Sequence, residues 1–167
     1  MESEKQLSKD YFKSLQIIHF ALMMGILFFA IIAFILVSQG FAVAGLEDID
    51  IMLSFFVPVF LIIGLVSGNF LFKLKVIEAK GNLSLLEKLN IYRGALIIKM
   101  ALLEGPAFLC IIIFMLTGKM MYLALTGILL IVFVLYRPSK EKLISDLELN
   151  HSQRQTLEDP DGIIIPN

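Results

Sequence analysis

The chain has 167 residues, of which 58% are hydrophobic and 17% are charged, with a net charge of −1. A soluble domain carries roughly 25% charged residues and leaves much of its surface in water, so a mean hydropathy of +0.86 excludes a soluble single domain. The same composition excludes a disordered chain and leaves an integral membrane protein.

Four apolar stretches approach the ~20 residues that cross the ~30 Å hydrocarbon core of a bilayer. They predict an all-α membrane protein with four transmembrane helices over 17–37, 51–72, 95–117 and 120–136. The first stretch is longer than the core of a secretory signal, so we expect it to be retained. The remaining parts are expected to be a cytoplasmic amino terminus over 1–16, a cytoplasmic helical hairpin turn over 73–94 and a cytoplasmic tail over 137–167.

Basic residues predict the orientation of the helices, since Lys and Arg favour the cytoplasmic side. Of the 14 Lys and Arg residues, only Lys119 falls in a connection on the opposite side. We therefore expect both termini in the cytoplasm and the chain in the inner membrane of a cell.

The hairpin turn carries a helix-start signal. Ser84 and Glu87 have the spacing of a capping box, which predicts that the second span continues as a helix to about Ala79 and that the third begins near Ser84. A loose loop is the alternative. In the tail, 139–149 has the pattern of a short amphipathic helix, and the polar chain over 150–167 is expected to be mobile.

An internal repeat appears when the chain is shifted by 80 residues. Ten of the 21 positions over 17–37 are then identical to those over 97–117, including Gly25 with Gly105. The pattern predicts a duplicated two-helix unit. Because each unit has an even number of spans, the two halves would be parallel, as in one class of transporter repeat.

One carboxylate lies deep in an apolar stretch. Glu104 is expected near the bilayer midplane, where a charge costs ~2.5 kcal/mol or more, so it should be protonated, paired or in contact with water. Pro106 frees the carbonyl of Leu102 from the helix ladder, and a protonated Glu104 is a candidate donor to it. Pro58 predicts a second kink, in the second span.

Three further polar residues are expected at a shared depth nearer the cytoplasm. His19, Asn69 and Lys99, together with Glu104, form a candidate polar cluster that binds an ion, a proton or an anionic group. The alternative is that Glu104 is neutral and joins helices by hydrogen bonds, while His19 and Lys99 are interface anchors.

Patterns typical of an enzyme are missing from the sequence. It has no nucleophile beside a base, no paired acids and no phosphate loop, so we expect no catalytic residue. The single Cys110 excludes an internal disulfide, and the distant His19 and His151 do not have zinc-site spacing. We therefore expect neither a metal nor a cofactor.

Two resemblances bear on function. The string YRGALIIKMALLEGPAFL over 92–109, with RPSKEKLISDLEL over 137–149, resembles a group of small, uncharacterised four-span bacterial membrane proteins. The duplicated hairpin and Glu104 are superficially similar to the V-type ATPase proteolipid (c) subunit. The chain departs from that subunit because it lacks the glycine-rich first helix and carries its acid in the third span.

Two functions follow as expectations. The first is a non-enzymatic membrane scaffold or complex subunit, with the lipid bilayer, further copies of itself or other membrane proteins as partners and no nucleic acid. The second is a small transporter or ion- or proton-conducting protein that uses Glu104.

Overall fold

The computed structural model describes residues 6–41, 47–81 and 83–164. The outermost residues of the predicted amino terminus and tail, and much of the connection between the first two spans, lie outside that part. Within it, six helices and two short strands follow one another as β1 (Gln6–Leu7), α1 (Ser8–Ser38), α2 (Glu47–Ala79), α3 (Leu85–Thr117), α4 (Met120–Leu135), α5 (Lys140–Leu147), α6 (His151–Glu158) and β2 (Ile163–Ile164).

The candidate membrane spans number three to four in the described residues. Helices α1, α2 and α3 are each long and apolar enough to cross a membrane. Helix α4 has 16 residues, which make it about 24 Å long at 1.5 Å per residue. It is long and apolar enough to cross a membrane only when it is counted together with α5, which follows at a 75° bend. The chain is thus a multi-pass membrane protein with three to four candidate spans, and the count of four stays a prediction.

The predicted capping box forms at the start of α3. The Ser84 backbone N–H donates to Glu87 Oε2 at 2.9 Å, and the Glu87 N–H donates to Ser84 Oγ at 3.3 Å. Helix α2 ends at Ala79, so the hairpin turn is short, as its sequence predicts. The hydroxyl and the backbone N–H of Ser84 both donate hydrogen bonds to the Glu87 carboxylate, which is exposed and lies outside the apolar stretch. These bonds lower the pKa of Glu87.

The tail corrects one prediction. The sequence predicts a mobile chain over 150–167, but its described part folds into α6 and β2. Asn150 begins α6 with a capping box to Gln153, and β2 pairs antiparallel with β1. The tail is ordered because Leu157 and Ile164 are fully buried. Its largely polar composition gave no sign of this burial.

The chain divides into two compact units. We call them the polar unit (Met1–Phe20, Asn69–Lys99 and Arg137–Asn167) and the apolar unit (Ala21–Gly68 and Met100–Tyr136). Of the 14 Lys and Arg residues, all but Lys119 belong to the polar unit. The boundaries between the two compact units therefore coincide with the boundaries between the basic and the apolar segments of the sequence.

Helix α3 is the most buried of the three long helices. Half of its apolar window is buried, against 17% for α1 and 22% for α2. In the apolar unit, the rings of Phe29 on α1 and Phe108 on α3 meet edge to face at 5.6 Å. Gly64 brings the backbone of α2 against α3, since a Cβ there would lie 2.6 Å from the Leu102 carbonyl oxygen and 2.9 Å from Pro106 Cγ.

The helices that the repeat would pair are unequal. Helices α1 and α3 end at Ser38 and Thr117, which agrees with the 80-residue shift to within one position. Helices α2 and α4 have 33 and 16 residues. The duplication of the two-helix unit therefore stays a prediction.

Candidate functional site

The residues of the predicted polar cluster fall into both units. His19, Asn69 and Lys99 belong to the polar unit, each at or next to the residue where the chain passes into the apolar unit. Glu104 belongs to the apolar unit. His19 and Lys99 are buried, at 6% and 8% exposed.

Glu104 lies half-buried on α3. No hydrogen bond or ion pair joins its carboxyl group to any residue that the structure describes. The space beside the Leu102 carbonyl, its predicted partner, is occupied by the backbone of α2 at Gly64. Pro58 and Pro106 both lie inside continuous helices.

An aromatic layer, which the sequence did not single out as a site, lies in the polar unit. It consists of Tyr11 and Phe12 on α1, Phe72 on α2 and Tyr92 on α3. The rings of Tyr11 and Phe12 meet edge to face at 5.6 Å, and those of Phe72 and Tyr92 at 5.5 Å. Tyrosine favours such positions at the end of an apolar stretch, since its ring is apolar and its hydroxyl is polar.

The two tyrosine hydroxyls connect the layer to distant segments. Tyr11 donates to the Leu89 carbonyl at 2.7 Å, and Tyr92 donates to Asp146 Oδ2 on α5 at 3.1 Å. Both phenols lie outside the predicted spans, and burial raises the pKa of Tyr11 and of Tyr92 above the usual range. They are therefore neutral hydrogen-bond donors at physiological pH.

Three basic side chains lie over rings of the aromatic layer. Such cation–π contacts are worth about 0.5–1 kcal/mol when exposed and more when desolvated. The ring-centroid distances are 5.7 Å for Arg93 over Tyr11, 4.8 Å for Lys99 over Phe72 and 5.2 Å for Lys140 over Phe12.

Lys99 is a buried cation whose ammonium group lies over the Phe72 ring. Asp146 on α5 accepts a hydrogen bond from the Tyr92 hydroxyl and so joins α5 to α3 within the polar unit. No group of three potential metal ligands occurs among the described side chains.

A second feature of the polar unit joins the start of α1 to the segment at the end of α6 and after it. We call it the terminal clasp, formed by Ser8 and Lys9 with 157–162. Ser8 Oγ donates to the Leu157 carbonyl at 2.6 Å, and the Ser8 N–H donates to the Gly162 carbonyl at 3.0 Å. Lys9 Nζ pairs with Asp161 at 2.7 Å.

One sequence signal pointed weakly to the aromatic layer. The 80-residue shift places Phe12 on Tyr92, so the two repeats carry an aromatic residue at the same position. The terminal clasp had a signal in the Asn150 and Gln153 capping box, which is a helix start that the polar composition obscured.

Comparison with protein-family models, curated proteins and solved structures gives no significant match. The resemblance to small four-span bacterial proteins stays a prediction, and the function is argued from the chemistry of the two units.

Proposed function

We propose that the chain is a non-enzymatic scaffold or subunit of a membrane complex. One observation supports it above the others. Both ends of the described chain and the α2–α3 connection belong to one compact unit, which carries most of the charge. A small membrane protein that presents a folded polar unit has a surface for partners without needing a soluble domain.

Contacts between distant segments support a defined surface on this unit. Tyr11 bonds to the start of α3, and Tyr92 bonds to α5. Lys80, just after α2, pairs with Glu148 at 2.6 Å. These contacts join segments that are far apart in the sequence, so the polar unit has a defined surface.

In this proposal four helices cross the inner membrane and both termini lie in the cytoplasm. The basic residues of the polar unit favour that side. Reporter fusions at the carboxyl terminus and in the α1–α2 connection test the orientation, and a carboxyl terminus found outside the cell would overturn it.

The scaffold role is tested by purification from native membranes in a mild detergent, at the natural expression level. We expect a defined complex larger than the chain alone, with cross-links from a photoreactive residue at the exposed Gln155 of α6 to one partner. The exposed Met121 of α4, in the apolar unit, is the matched control position. A chain that purifies without partners and cross-links to none would contradict the proposal.

A proton- or ion-conducting role for Glu104 is the second candidate. The observation that favours it is a half-buried carboxyl group, on the most buried of the long helices, without a hydrogen-bond partner among the described residues. In liposomes containing the purified chain, this role predicts pH-dependent flux that Glu104→Gln abolishes while the unfolding temperature is kept. Flux that survives in the Gln variant, or none in the wild type, would eliminate it.

A further inference from the structure

Lys88, near the start of α3, is a buried lysine that lies outside the predicted spans. Its side chain is 8% exposed, and no hydrogen bond or ion pair joins its ammonium group to a residue that the structure describes. Among those residues no fully buried side-chain nitrogen lacks a partner. The ammonium group of Lys88 therefore reaches the surface while its carbon stem is packed inside the polar unit.

The carboxylates of α5 that lie near this part of α3 are engaged by other residues. Tyr92 is one turn after Lys88 and shares its face of the helix, and the Tyr92 hydroxyl donates to Asp146. Glu148, at the end of α5, pairs with Lys80 at 2.6 Å. Lysine is rarely buried unless it is paired, so this position favours a negative partner from outside the described chain.

The start of α3 adds to the attraction for a negative group. The first N–H groups of a helix have no acceptor within it, and the helix dipole gives this end a partial positive charge. Lys88 is the fourth residue of α3, and side chains of a helix lean toward its N-terminus. The Glu87 carboxylate is already held by the N–H and hydroxyl of Ser84, which leaves Lys88 available for an external anion.

The position of Lys88 along α3 distinguishes a protein ligand from a lipid. Lys88 lies seven residues before 95, where the third predicted span begins, which is ~10 Å along a helix. The head groups of a bilayer extend only about 5–8 Å beyond the hydrocarbon core on each side. Because the side chain also leans away from the span, its ammonium group faces a ligand beyond the lipid head groups.

We propose that Lys88 binds a carboxylate of a partner protein, so that the start of α3 is a docking surface of the polar unit. This inference rests on the proposed scaffold role and names the surface that the partner contacts. Burial of the carbon stem holds the ammonium group in place before the partner arrives, which reduces the entropy that binding costs. An exposed lysine of the same unit, such as Lys13, lacks this advantage.

The test treats the complex purified from native membranes with a water-soluble carbodiimide, which couples a lysine to a carboxylate in direct contact with it. Mass spectrometry should locate an amide bond between Lys88 and an acidic side chain or the terminal carboxylate of one partner. Lys88→Met should weaken the complex roughly thirtyfold or more, measured as the partner retained on dilution. Methionine is unbranched and replaces the buried stem, so the unfolding temperature of the chain alone should be kept.

The matched control is Lys13→Met, which removes an exposed charge from the same unit and should stay within about twofold of the wild type. Equal weakening by both variants, or coupling at Lys13 but not at Lys88, would overturn the site. A complex that survives Lys88→Met overturns this inference alone, whereas the absence of any complex overturns the scaffold role with it.

Inorganic phosphate, added to the purified chain and to the complex, forms the last arm. We expect it to compete weakly with the partner. If it raises the unfolding temperature of the chain only when Lys88 is present, and releases no partner from the complex, the ligand is a soluble anion and the proposal fails.

Discussion

The polar and apolar units hold their helices together by different means. In the apolar unit, α2 approaches α3 through Gly64, and α1 meets α3 through the Phe29 and Phe108 rings. In the polar unit, side-chain hydrogen bonds and cation–π contacts join segments far apart in sequence, such as Ser8 with Leu157. Helices α1, α2 and α3 contribute residues to both units. Each of them is therefore held by close apolar packing along one part of its length and by specific polar contacts along another.

From this difference we expect that a larger side chain at the close contact between α2 and α3 lowers stability more than the loss of any one polar contact described below. Gly64→Ala places a methyl group 2.6 Å from the Leu102 carbonyl oxygen, so the backbones must separate, at about 1–3 kcal/mol. Denaturant unfolding in detergent measures the change. Gly127→Ala on α4 is the control because a Cβ there meets nothing within 4 Å, and it should be neutral or slightly stabilising. Equal destabilisation by both variants would show that the close approach is unimportant.

Removal of one hydroxyl should loosen the terminal clasp and leave the apolar unit intact. Ser8→Ala deletes the donor to the Leu157 carbonyl in the last turn of α6, and a buried acceptor left without its partner costs about 1–3 kcal/mol. Hydrogen exchange should rise over α6 and β2 but not over the middle of α3. Ser152→Ala, at an exposed position of α6, is the control. Faster exchange throughout the chain would contradict the division into two units.

The bond between α3 and α5 should have a smaller effect. Tyr92→Phe removes the hydrogen bond to Asp146, which is worth about 1 kcal/mol. A double-mutant cycle with Asp146→Ala, which removes the acceptor, isolates the pair from the other contacts of each residue. We expect a favourable coupling energy of that size in thermal unfolding. A coupling energy of zero would mean that the hydrogen bond adds no stability and that the ring contacts of the aromatic layer alone hold Tyr92 in place.

The exposed capping box should have the smallest effect and a defined pH dependence. The pKa of Glu87 is lowered in the folded chain, so its stabilising contribution is full above the ordinary glutamate pKa and is lost as the pH falls through the folded value. Ser84→Ala should flatten this part of the stability curve between pH 6 and pH 3, a span chosen to bracket the ordinary value of ~4.3. Thermal unfolding across that range measures it, and an unchanged slope in the variant would contradict the assignment.

Local signals in the sequence predicted some helix ends and missed others, since α1 begins at Ser8, before the predicted start of the first span at 17, and α6 was not predicted. The capping box at Ser84 and Glu87 placed the turn between α2 and α3, since a cap depends on residues three positions apart. The tail was misread because its polar composition gave no sign that β1 would pair with Ile163 and Ile164, more than 150 residues away.

The sequence alone determined that this is a membrane protein, where its apolar helices lie and on which segments its charges are grouped, because hydropathy and charge are properties of each residue. The tertiary structure decided which residues meet. It placed His19, Asn69 and Lys99 in one unit and Glu104 in the other, and it seated Lys99 on the Phe72 ring. These contacts join segments distant along the chain, and their geometry is fixed only when the helices pack.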